Sequence, residues 1–529
     1  MKAVRTSDTS SASFNRTGRR WRVFFTSFIA ILAPMLLWAL ASPMMSIPDE
    51  DAHAIRAAAV AHGQVVSVPW DKDPSVGRAE VARYVAHAHD LTCYKTRPDI
   101  SAGCLRPVEG NPTDTVVTGT SAAMNSPVYY AIVGLPTLVM DGTPALYAMR
   151  AMSAVLSAAA LAVMFMSLLQ LPRSRWVIVA AAVAVTPMVL YLGGSINPNG
   201  VEVASAGALF ATLVLTMTTP ASTRLLWERA ALVVLSAGAL LSTRSISLLW
   251  VLIVVGAALA FANSGVLAGL LRRTAAWAAI GVSALISGLT IVWYLGLPNY
   301  AQYPTGNVGG SATIEFFTMV LRTFEFGDGL IGYFGWADTP SPSFSVIVWS
   351  FGIVTVLVAA VVWGSRRGKF VVLGLALVMV LVPAITQAIL ISTLGSIWQG
   401  RYMLAMMICL LLACGLAIDD SDQRPRPSAG LKRFVITLFV LLSLGQVFSF
   451  ISTLQRYMVT INGDMEAMFT APEWQPPGGW LIPTALLAVA AAVAAVLAYR
   501  AAFREPSDAA GPLEAAAVSG REQQYQGQQ

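Results

Sequence analysis

An acidic segment directly after the first apolar stretch holds the residue types that acid–base chemistry needs. Residues 49–53 read Asp-Glu-Asp-Ala-His. A carboxylate this close to a bilayer is costly unless it is paired or used, so it is a functional candidate. Helical spacing places Asp49, His53 and Arg56 along one face, with Glu50 beside His53 on an overlapping face. Such an arrangement can hold a carboxylate, tune its pKa and leave it facing a cleft.

The same residues also fit the start of a helix. Ser46, followed three residues later by Asp49, resembles a capping box, and Pro48 is tolerated in the first turn. Acidic side chains also interact favourably with the positive end of the helix dipole. Capping and catalysis fit this segment about equally well on sequence chemistry alone.

Two arginines lie where the chain meets the expected membrane surface. Arg401 belongs to the box Gln399-Gly400-Arg401-Tyr402, and Arg244 lies in a short polar segment between two apolar stretches. An arginine at that depth can hold a lipid phosphate through its planar fork of N–H donors. The alternative is an interfacial anchor, in which the guanidinium reaches the headgroups and the tyrosine joins the aromatic belt. Both interpretations stay open for both arginines.

Two further segments hold side chains that suit a sugar. Asn197 and Asn199 flank a proline just before an apolar stretch, where they could bind sugar hydroxyls or cap the following helix. Trp336 lies in a segment that mixes glycine with carboxylates, which would suit stacking on a sugar ring. A plain loop turn explains that segment equally well.

All four histidines and two of the four cysteines fall in the polar segment after the first apolar stretch. A His-x-His pair near a cysteine could bind a metal. The favoured interpretation is a disulfide between Cys93 and Cys104, because an outer loop faces an oxidising compartment. A divalent cation at Asp49, Glu50 and His53 is the remaining option, but ligand spacing does not support it. We therefore assign no metal ligands and no cofactor.

The composition indicates what must position these residues. Of 529 residues, 56% are hydrophobic and 12% are charged, whereas soluble domains carry about 25% charged residues. The apolar residues form runs of roughly 18 to 25, long enough to cross a bilayer. We predict an all-α polytopic membrane protein with about 12 transmembrane helices. The net charge of +6 does not indicate nucleic-acid binding, because the basic residues cluster at the ends of the apolar runs.

The basic residues also set the expected topology. Nearly every basic residue cluster lies at span ends on the same side of the membrane, which predicts a multi-pass protein with both termini in the cytoplasm. The excess of Arg over Lys and the abundance of Ala are typical of a GC-rich bacterial genome, so the expected location is the bacterial plasma membrane. Residues 1–20 and 505–529 are polar and predicted to be disordered, which leaves a transmembrane domain at 21–504. Residues 43–126 form a long first outer loop, and residues 298–343 form a second.

The unusual polar motifs fall on the outer side in this topology. They include a short apolar stretch that begins with Tyr129 and Tyr130 and is predicted to be a re-entrant or interfacial helix, with its tyrosines at headgroup level. A transporter would instead keep its polar residues near the bilayer midplane, on interrupted helices in two matched halves. The sequence has no matched halves, so the layout favours an enzyme with an outward-facing cleft.

Four motifs, in order along the chain, resemble a known family. They are Pro-Asp-Glu-x-x-His from Pro48, Pro-x-Tyr-Tyr from Pro127, Ser-x-Asn-Pro-Asn from Ser195, and Gln-Gly-Arg-Tyr from Gln399. Together they resemble the GT-C superfamily of integral-membrane glycosyltransferases and, more narrowly, a bacterial family in that group classed as a domain of unknown function. The family pattern has Asp where this chain has Asn199, so a carboxylate role does not carry over to that position.

The resemblance implies a GT-C-like fold and an inverting transfer of a sugar from polyprenyl phosphate to an envelope glycan, lipid or protein. An acidic residue of the first outer loop would be the general base, which assigns Asp49 to that role and Glu50 as the second choice. His53 and Arg56 would orient the base or set its pKa. The donor phosphate would be bound by Arg401, with Arg244 behind it. The other residues expected to contact substrate are Tyr129, Tyr130, Asn197, Asn199, Trp336, Gln399 and Tyr402.

Two other functional classes stay open at this stage. A transporter or flippase of lipid-linked glycans would share the outer cleft but would need no general base. A non-catalytic membrane protein of envelope assembly would need neither the base nor the phosphate-binding arginine.

Overall fold

The chain folds as a helical membrane protein, which confirms the class predicted from hydropathy. A computed structural model describes residues 8–301, 309–325 and 327–504. The first ten helices are α1 (Asp8–Ala41), α2 (Glu50–Ala61), α3 (Arg83–Ala86), α4 (Pro127–Val133), α5 (Gly142–Leu168), α6 (Arg175–Ala184), α7 (Pro187–Gly193), α8 (Pro198–Thr218), α9 (Thr223–Leu241) and α10 (Ser247–Phe261). The others are α11 (Ser264–Leu270), α12 (Thr274–Leu295), α13 (Ala312–Leu321), α14 (Gly327–Ile331), α15 (Ser343–Trp363), α16 (Arg366–Leu390), α17 (Leu404–Asp419), α18 (Ala429–Val459), α19 (Ala467–Thr470) and α20 (Leu481–Ala502).

The expected number of spans agrees roughly with the helices. Within the described residues, nine helices are long and apolar enough to cross a membrane, and α6 with α7 makes a tenth if that pair, bent by 66°, is one span. The two remaining predicted spans correspond to α9 and α10. Helix α9 carries Arg224, Glu228 and Arg229, and α10 has only 15 residues, so neither meets the same standard.

Helices α8 and α17 form the centre of the bundle. Nearly all of their side chains are buried, and α8 packs against α5, α9, α10 and α17. By contrast, α12 and α20 expose most of their apolar side chains, as expected for helices that face lipid. A polar side chain on α8 is therefore held by protein on all sides.

The two ends of α17 lie in different surroundings. At its C-terminal end, the Asp419 carboxylate accepts hydrogen bonds from the N–H groups of Trp176 and Val177 at 3.1 and 2.9 Å, which ties α17 to the start of α6. Arg401, just before the N-terminal end, contacts the segment that leads into α2. The predicted first outer loop, which includes the acidic motif, thus lies at the end of the bundle opposite Asp419.

The predicted first outer loop, residues 43–126, is an ordered unit and contains β-structure that the all-α prediction did not include. Strands β1 (Pro69–Trp70), β2 (Asp73–Ala82) and β3 (Thr115–Thr120) form an antiparallel sheet in that order. In the β2–β3 register, Gly77 pairs with Thr120 and Ala82 with Thr115. Helix α2 packs on this sheet and on α4. A second ribbon pairs β4 (Tyr333–Phe334) with β5 (Thr339–Pro340).

One boundary prediction needs correction at the N-terminus. Helix α1 begins at Asp8, inside the segment 1–20 that we expected to be disordered, although the apolar span within it begins only at Gly18. The helix therefore continues beyond the apolar residues. Residues 505–529, the other segment expected to be disordered, lie outside the described residues.

Candidate active site

Asp49 immediately precedes α2, and its side chain faces a cavity. Its backbone is left-handed, with φ of 65° and ψ of 6°, a region that Asp and Asn enter more readily than most residues. The carboxylate makes no capping hydrogen bond. Its Oδ2 instead accepts a hydrogen bond at 3.1 Å from Nη2 of Arg401, which lies 352 residues away in sequence. Of the two roles left open by the sequence, side-chain capping does not hold for Asp49.

Distant residues hold the segment that leads into Asp49. The indole Nε1 of Trp336 donates to the carbonyl oxygen of Met45 at 3.0 Å. The amide Nδ2 of Asn197 donates to the carbonyl oxygen of Pro48, also at 3.0 Å. Trp336 is therefore not the exposed sugar platform that its loop suggested, because its ring is buried and its N–H is used within the protein. Both contacts help to fix the turn that points Asp49 into the cavity.

Glu50 turns away from the cavity and is fully buried. Its Oε1 and Oε2 accept hydrogen bonds from Nε and Nη2 of Arg150 at 2.7 and 2.6 Å. The remaining N–H groups of Arg150 donate to the carbonyl oxygens of Ala39, Ser42 and Pro43 at 2.7–2.8 Å. The choice of Glu50 as a second base is therefore corrected, because its carboxylate is committed to a buried ion pair. Sequence reasoning did not identify Arg150.

His53 lies one turn after Asp49 and lines the same cavity. Its Nδ1 shares a hydrogen bond with the hydroxyl of Tyr130 at 2.8 Å, and its Nε2 is buried without a partner among the described residues. Burial lowers the pKa of the imidazole to about 4, although the Asp49 carboxylate acts in the opposite direction. The ring is therefore neutral near pH 7 and can donate or accept one further hydrogen bond.

Arg56 does not reach Asp49, which corrects the prediction that it orients the base. Its guanidinium donates to the carbonyl oxygens of Gln64, Val65 and Asn125 at 3.3, 2.9 and 3.4 Å. These contacts tie the end of α2 to its neighbouring loops. The predicted helical face fails because Asp49 lies outside the helix, in the left-handed conformation.

Tyr129 and Tyr130 are buried in the protein, so their side chains are not available to lipid headgroups as predicted. The hydroxyl of Tyr129 bonds Oγ of Ser153 at 2.9 Å. The hydroxyl of Tyr130 accepts a hydrogen bond from Nδ2 of Asn125 at 2.9 Å and holds the ring of His53. Neither tyrosine lines the cavity. Tyr130 acts on the site only indirectly, by fixing the ring of His53 through their hydrogen bond.

A cavity of about 340 Å³ joins these elements. Its volume lies near the lower end of the range for small-molecule sites, roughly 300 to 1,000 Å³. The wall combines the start of α2, the turn after β3, helices α8 and α16, the α9–α10 connection and the segment before α17. The lining residues are Asp49, His53, Ser121, Ala122, Asn125, Glu202, Arg244, Ser245, Ile246, Thr386, Ile397, Trp398 and Tyr402.

Arg401 is buried next to this cavity, and its hydrogen-bonding capacity is largely unused. Only 3% of its side chain is exposed, and its guanidinium carbon lies 5.4 Å from the ring centre of Tyr402. Within the described residues, its only hydrogen bond goes to Asp49, and its buried Nε has no partner. A guanidinium has five N–H donors, so several remain for an anion.

The segment that carries Arg401 is held from both sides. The Oε1 atom of Gln387 accepts hydrogen bonds from the N–H groups of Ile397 and Trp398, each at 3.0 Å. From the other side, Gly329 approaches the backbone so closely that a Cβ there would lie 3.0 Å from Cα of Gly400. The Gly-Asp-Gly motif at 327–329 therefore allows tight packing against the Gln-Gly-Arg-Tyr box, a role that the sequence did not reveal.

Two further charged residues, Arg244 and Glu202, line the cavity. The guanidinium carbon of Arg244 lies 4.9 Å from the ring centre of Tyr402, and no carboxylate in the described residues forms an ion pair with it. Glu202, on α8, accepts hydrogen bonds from Oγ of Ser247 and Nε1 of Trp250, both at 3.1 Å. Sequence reasoning missed Glu202. The available signal was a carboxylate inside a transmembrane span, which is a functional candidate by default.

Three amides predicted to contact substrate lie outside the cavity lining. Oδ1 of Asn197 accepts a hydrogen bond from the N–H of Asn199 at 3.0 Å, so Asn197 caps α8. Asn199 is fully buried, and neither polar atom of its side chain has a partner in the described part of the chain. The buried Oε1 of Gln399 likewise has none.

The remaining polar groups of the predicted first outer loop make local contacts. Cys93 and Cys104 form a disulfide with their Cα atoms 6.2 Å apart. Nδ1 of His89 pairs with the Asp51 carboxylate at 2.8 Å, so the third acidic residue of the motif has its own partner. Across the described ranges, no group of three or more His, Cys, Asp or Glu side chains is arranged to hold a metal ion.

The sequence matches the model of one protein family, described as predicted membrane protein (DUF2142), over residues 32–410. The chain belongs to this family. The match spans the acidic motif, Glu202, Arg244 and Arg401, and it confirms the narrower of the two resemblances found in the sequence. No curated protein matches the chain.

Two solved structures are similar to this family member in overall arrangement. They are crystal structures of ArnT from Cupriavidus metallidurans, one bound to undecaprenyl phosphate and one in the apo state. Each ArnT structure is 12% identical to this chain in sequence. Each alignment covers 90% of this chain and 76% of the ArnT chain, and the TM-scores are 0.42 for the bound structure and 0.44 for the apo structure. ArnT is a GT-C glycosyltransferase.

Proposed function

We propose that this protein is a membrane glycosyltransferase that moves a sugar from a polyprenyl-phosphate donor to a cell-envelope acceptor on the outer face of the bacterial plasma membrane. The observation that carries the proposal is that Asp49 and Arg244 line one cavity, while Arg401 lies directly behind Asp49 and is hydrogen-bonded to it. An accessible carboxylate beside two incompletely paired guanidiniums suits a reaction that needs a base and releases a phosphate.

The proposed reaction is a single displacement at the anomeric carbon of the donor sugar. The Asp49 carboxylate takes the proton from the acceptor hydroxyl as its oxygen forms the new glycosidic bond. The bond between the anomeric carbon and the phosphate oxygen breaks, and polyprenyl monophosphate leaves with that electron pair. Attack from the face opposite the leaving group inverts the configuration. Arg401 and Arg244 stabilise the charge that develops on the phosphate.

The Asp49–Arg401 pair suggests why donor binding would precede proton transfer to Asp49. Asp49 is 46% exposed, and a single hydrogen bond joins it to Arg401. An incoming phosphate offers Arg401 two oxygens in the geometry that a guanidinium prefers. Donor binding then weakens the hold of Arg401 on Asp49 and makes the carboxylate a better proton acceptor. The neutral His53 presents Nε2 to orient the acceptor hydroxyl.

The deciding experiment is Asp49→Asn, assayed by sugar transfer from polyprenyl-phosphate sugars in membranes. Asn tolerates the left-handed backbone of this position, so folding should be preserved. An amide cannot accept the proton, and the rate should fall about 10²- to 10⁴-fold. The matched control is Asp51→Asn, which alters the adjacent carboxylate that pairs with His89 and should keep transfer within a few-fold of wild type. Full activity in folded Asp49→Asn would remove Asp49 as the base.

A further inference from the structure

Glu202 differs from the other charged groups of the cavity in how its two oxygens are used. Oε1 accepts both hydrogen bonds, from Ser247 and from Trp250. Oε2 accepts none from the described residues, and Glu202 is part of the cavity lining. Because one oxygen is held by two donors, the side chain is fixed with its other oxygen available to a ligand.

The location of Glu202 makes a purely structural role costly. Its side chain is 2% exposed and belongs to α8, one of the central membrane-spanning helices. A carboxyl group at that position is unfavourable unless it is paired or used. Arg244 lines the same cavity, but no ion pair to Glu202 forms among the described side chains. This contrasts with Glu50, which Arg150 engages at both oxygens.

Arg244 connects Glu202 to the proposed chemistry. Arg244, Asp49 and Glu202 line the same cavity, so both carboxyl groups share it with one candidate phosphate ligand. A donor whose phosphate contacts Arg244 and Arg401 must place its sugar within the same 340 Å³ cavity, which Glu202 lines. The side chain of Glu202 is therefore within the space that the sugar would occupy.

We propose that Glu202 is a specificity-determining residue that recognises the donor sugar, with Oε2 accepting hydrogen bonds from its hydroxyl groups. The inference rests on the proposed function and deepens it, because it names the chemical class of the transferred group as a sugar that is recognised through its hydroxyl groups. A carboxyl oxygen accepts hydrogen bonds and donates none when it is ionised. The fixed position set by Ser247 and Trp250 adds selectivity for where those hydroxyls lie.

The test is Glu202→Gln in the purified full-length protein. The new amide can keep its oxygen on Ser247 and Trp250 and turn its NH₂ group toward the cavity, which replaces an acceptor with a donor at nearly constant volume. The probes are polyprenyl monophosphate, polyprenyl-phosphate glucose and polyprenyl-phosphate arabinose, measured by direct binding. Wild type should bind at least one sugar-bearing probe more tightly than the bare lipid phosphate. Glu202→Gln should lose that difference, by about 10- to 100-fold, and bind the bare lipid phosphate as wild type does.

A second variant and a comparison variant keep the result interpretable. Ser247→Ala removes one of the two donors to Oε1 and should reduce the sugar-dependent part of binding about 2- to 10-fold. Because this variant keeps Glu202, it tests the inference even if the Glu202→Gln protein is unstable. Arg401→Ala should weaken binding of all three probes together. A uniform loss in Glu202→Gln, unchanged binding of the preferred sugar-bearing probe, or a wild type that does not distinguish the probes would each overturn the inference. Sugar-dependent binding without any transfer by wild type would instead overturn the proposed transferase function and leave the role of Glu202 intact.

Discussion

Asp49 and Glu50 are adjacent in sequence and each meets an arginine, but the two ion pairs lie in different regions. The Glu50–Arg150 pair is fully buried, and Arg150 makes five hydrogen bonds, two to the carboxylate and three to backbone carbonyls. The Asp49–Arg401 pair lies at the cavity, with Asp49 46% exposed and a single hydrogen bond between the partners. The first pair has no unused donor, whereas the second has several.

This difference separates a structural role from a functional one. A guanidinium with all five N–H groups engaged can bind nothing more, and it fixes the segments that it joins, here α1, α2 and α5. A buried guanidinium with unused donors carries an uncompensated desolvation cost that an anionic ligand would remove. Both pairs join a carboxylate to an arginine, so residue type does not distinguish them. They differ in how many of the arginine N–H groups are already hydrogen-bonded.

The largest expected effect concerns the buried pair. Glu50→Gln keeps the side-chain volume but leaves the Arg150 guanidinium buried beside an uncharged amide, and breaking such a pair costs about 3–5 kcal/mol. We expect a large drop in apparent Tm and in the monodisperse fraction of purified protein. Asp49→Asn should cost about 0–1 kcal/mol, because Asp49 is half-exposed.

A double variant tests whether the loss comes from the pair itself. Glu50→Gln combined with Arg150→Met removes both charges and should lose less stability than the sum of the two single variants. Equal stability of Glu50→Gln and Asp49→Asn would contradict the distinction between the two regions.

The second expected effect concerns Arg401. Arg401→Ala should weaken binding of polyprenyl monophosphate about 10- to 100-fold, and Arg401→Lys, which keeps the charge but loses the planar fork, should fall between it and wild type. Both variants should keep an apparent Tm close to that of wild type, unlike Arg150→Lys. Undiminished donor binding and transfer in Arg401→Ala would mean that Arg401 does not bind the donor phosphate.

The third expected effect concerns the buried, neutral His53 in the cavity. Its pKa is about 4 in the folded protein and near 6.5 when exposed, so between these values the unfolded state binds more protons. Stability should therefore fall as the pH drops from about 6.5 toward 4. His53→Gln can keep the hydrogen bond to Tyr130 without titrating, and it should remove roughly 2–2.5 kcal/mol of that loss between pH 7 and pH 4.5. Apparent Tm values at pH 7 and pH 4.5 provide the measurement, and identical pH profiles for the two proteins would refute the assignment.

The smallest expected effect is an affinity gain that accompanies lost activity. Asp49 competes with phosphate for Arg401, so Asp49→Asn should bind polyprenyl monophosphate about two- to fivefold more tightly, in line with an exposed ion pair worth up to about 1 kcal/mol. Direct binding to the purified variant measures this change. Weaker binding would show that Asp49 helps to hold the lipid, which would place it in the binding site and not in the role of base.

The sequence determined the overall class of this protein. Hydropathy alone sets which stretches must lie in the membrane, because a span needs about 20 apolar residues whatever its neighbours are. Among the residues that the structure describes, ten of the predicted spans meet that standard, counting the bent pair α6–α7 as one. The acidic motif, Arg244 and Arg401 could also be identified as candidate site residues from the sequence. Charged residues within or beside a membrane are costly and therefore usually have a function.

Only the tertiary structure decided which of those residues belong together. Asp49 and Glu50 have the same chemistry and neighbouring positions, yet one left-handed residue sends their side chains in opposite directions. Arg150 and Glu202 lie in apolar stretches far from the motif, and their partners come from other helices. Side-chain direction and long-range pairing depend on how helices pack, which local sequence does not encode. For that reason the sequence could name a carboxylate and an arginine, but only the fold separated the saturated pair from the one that is open to a ligand.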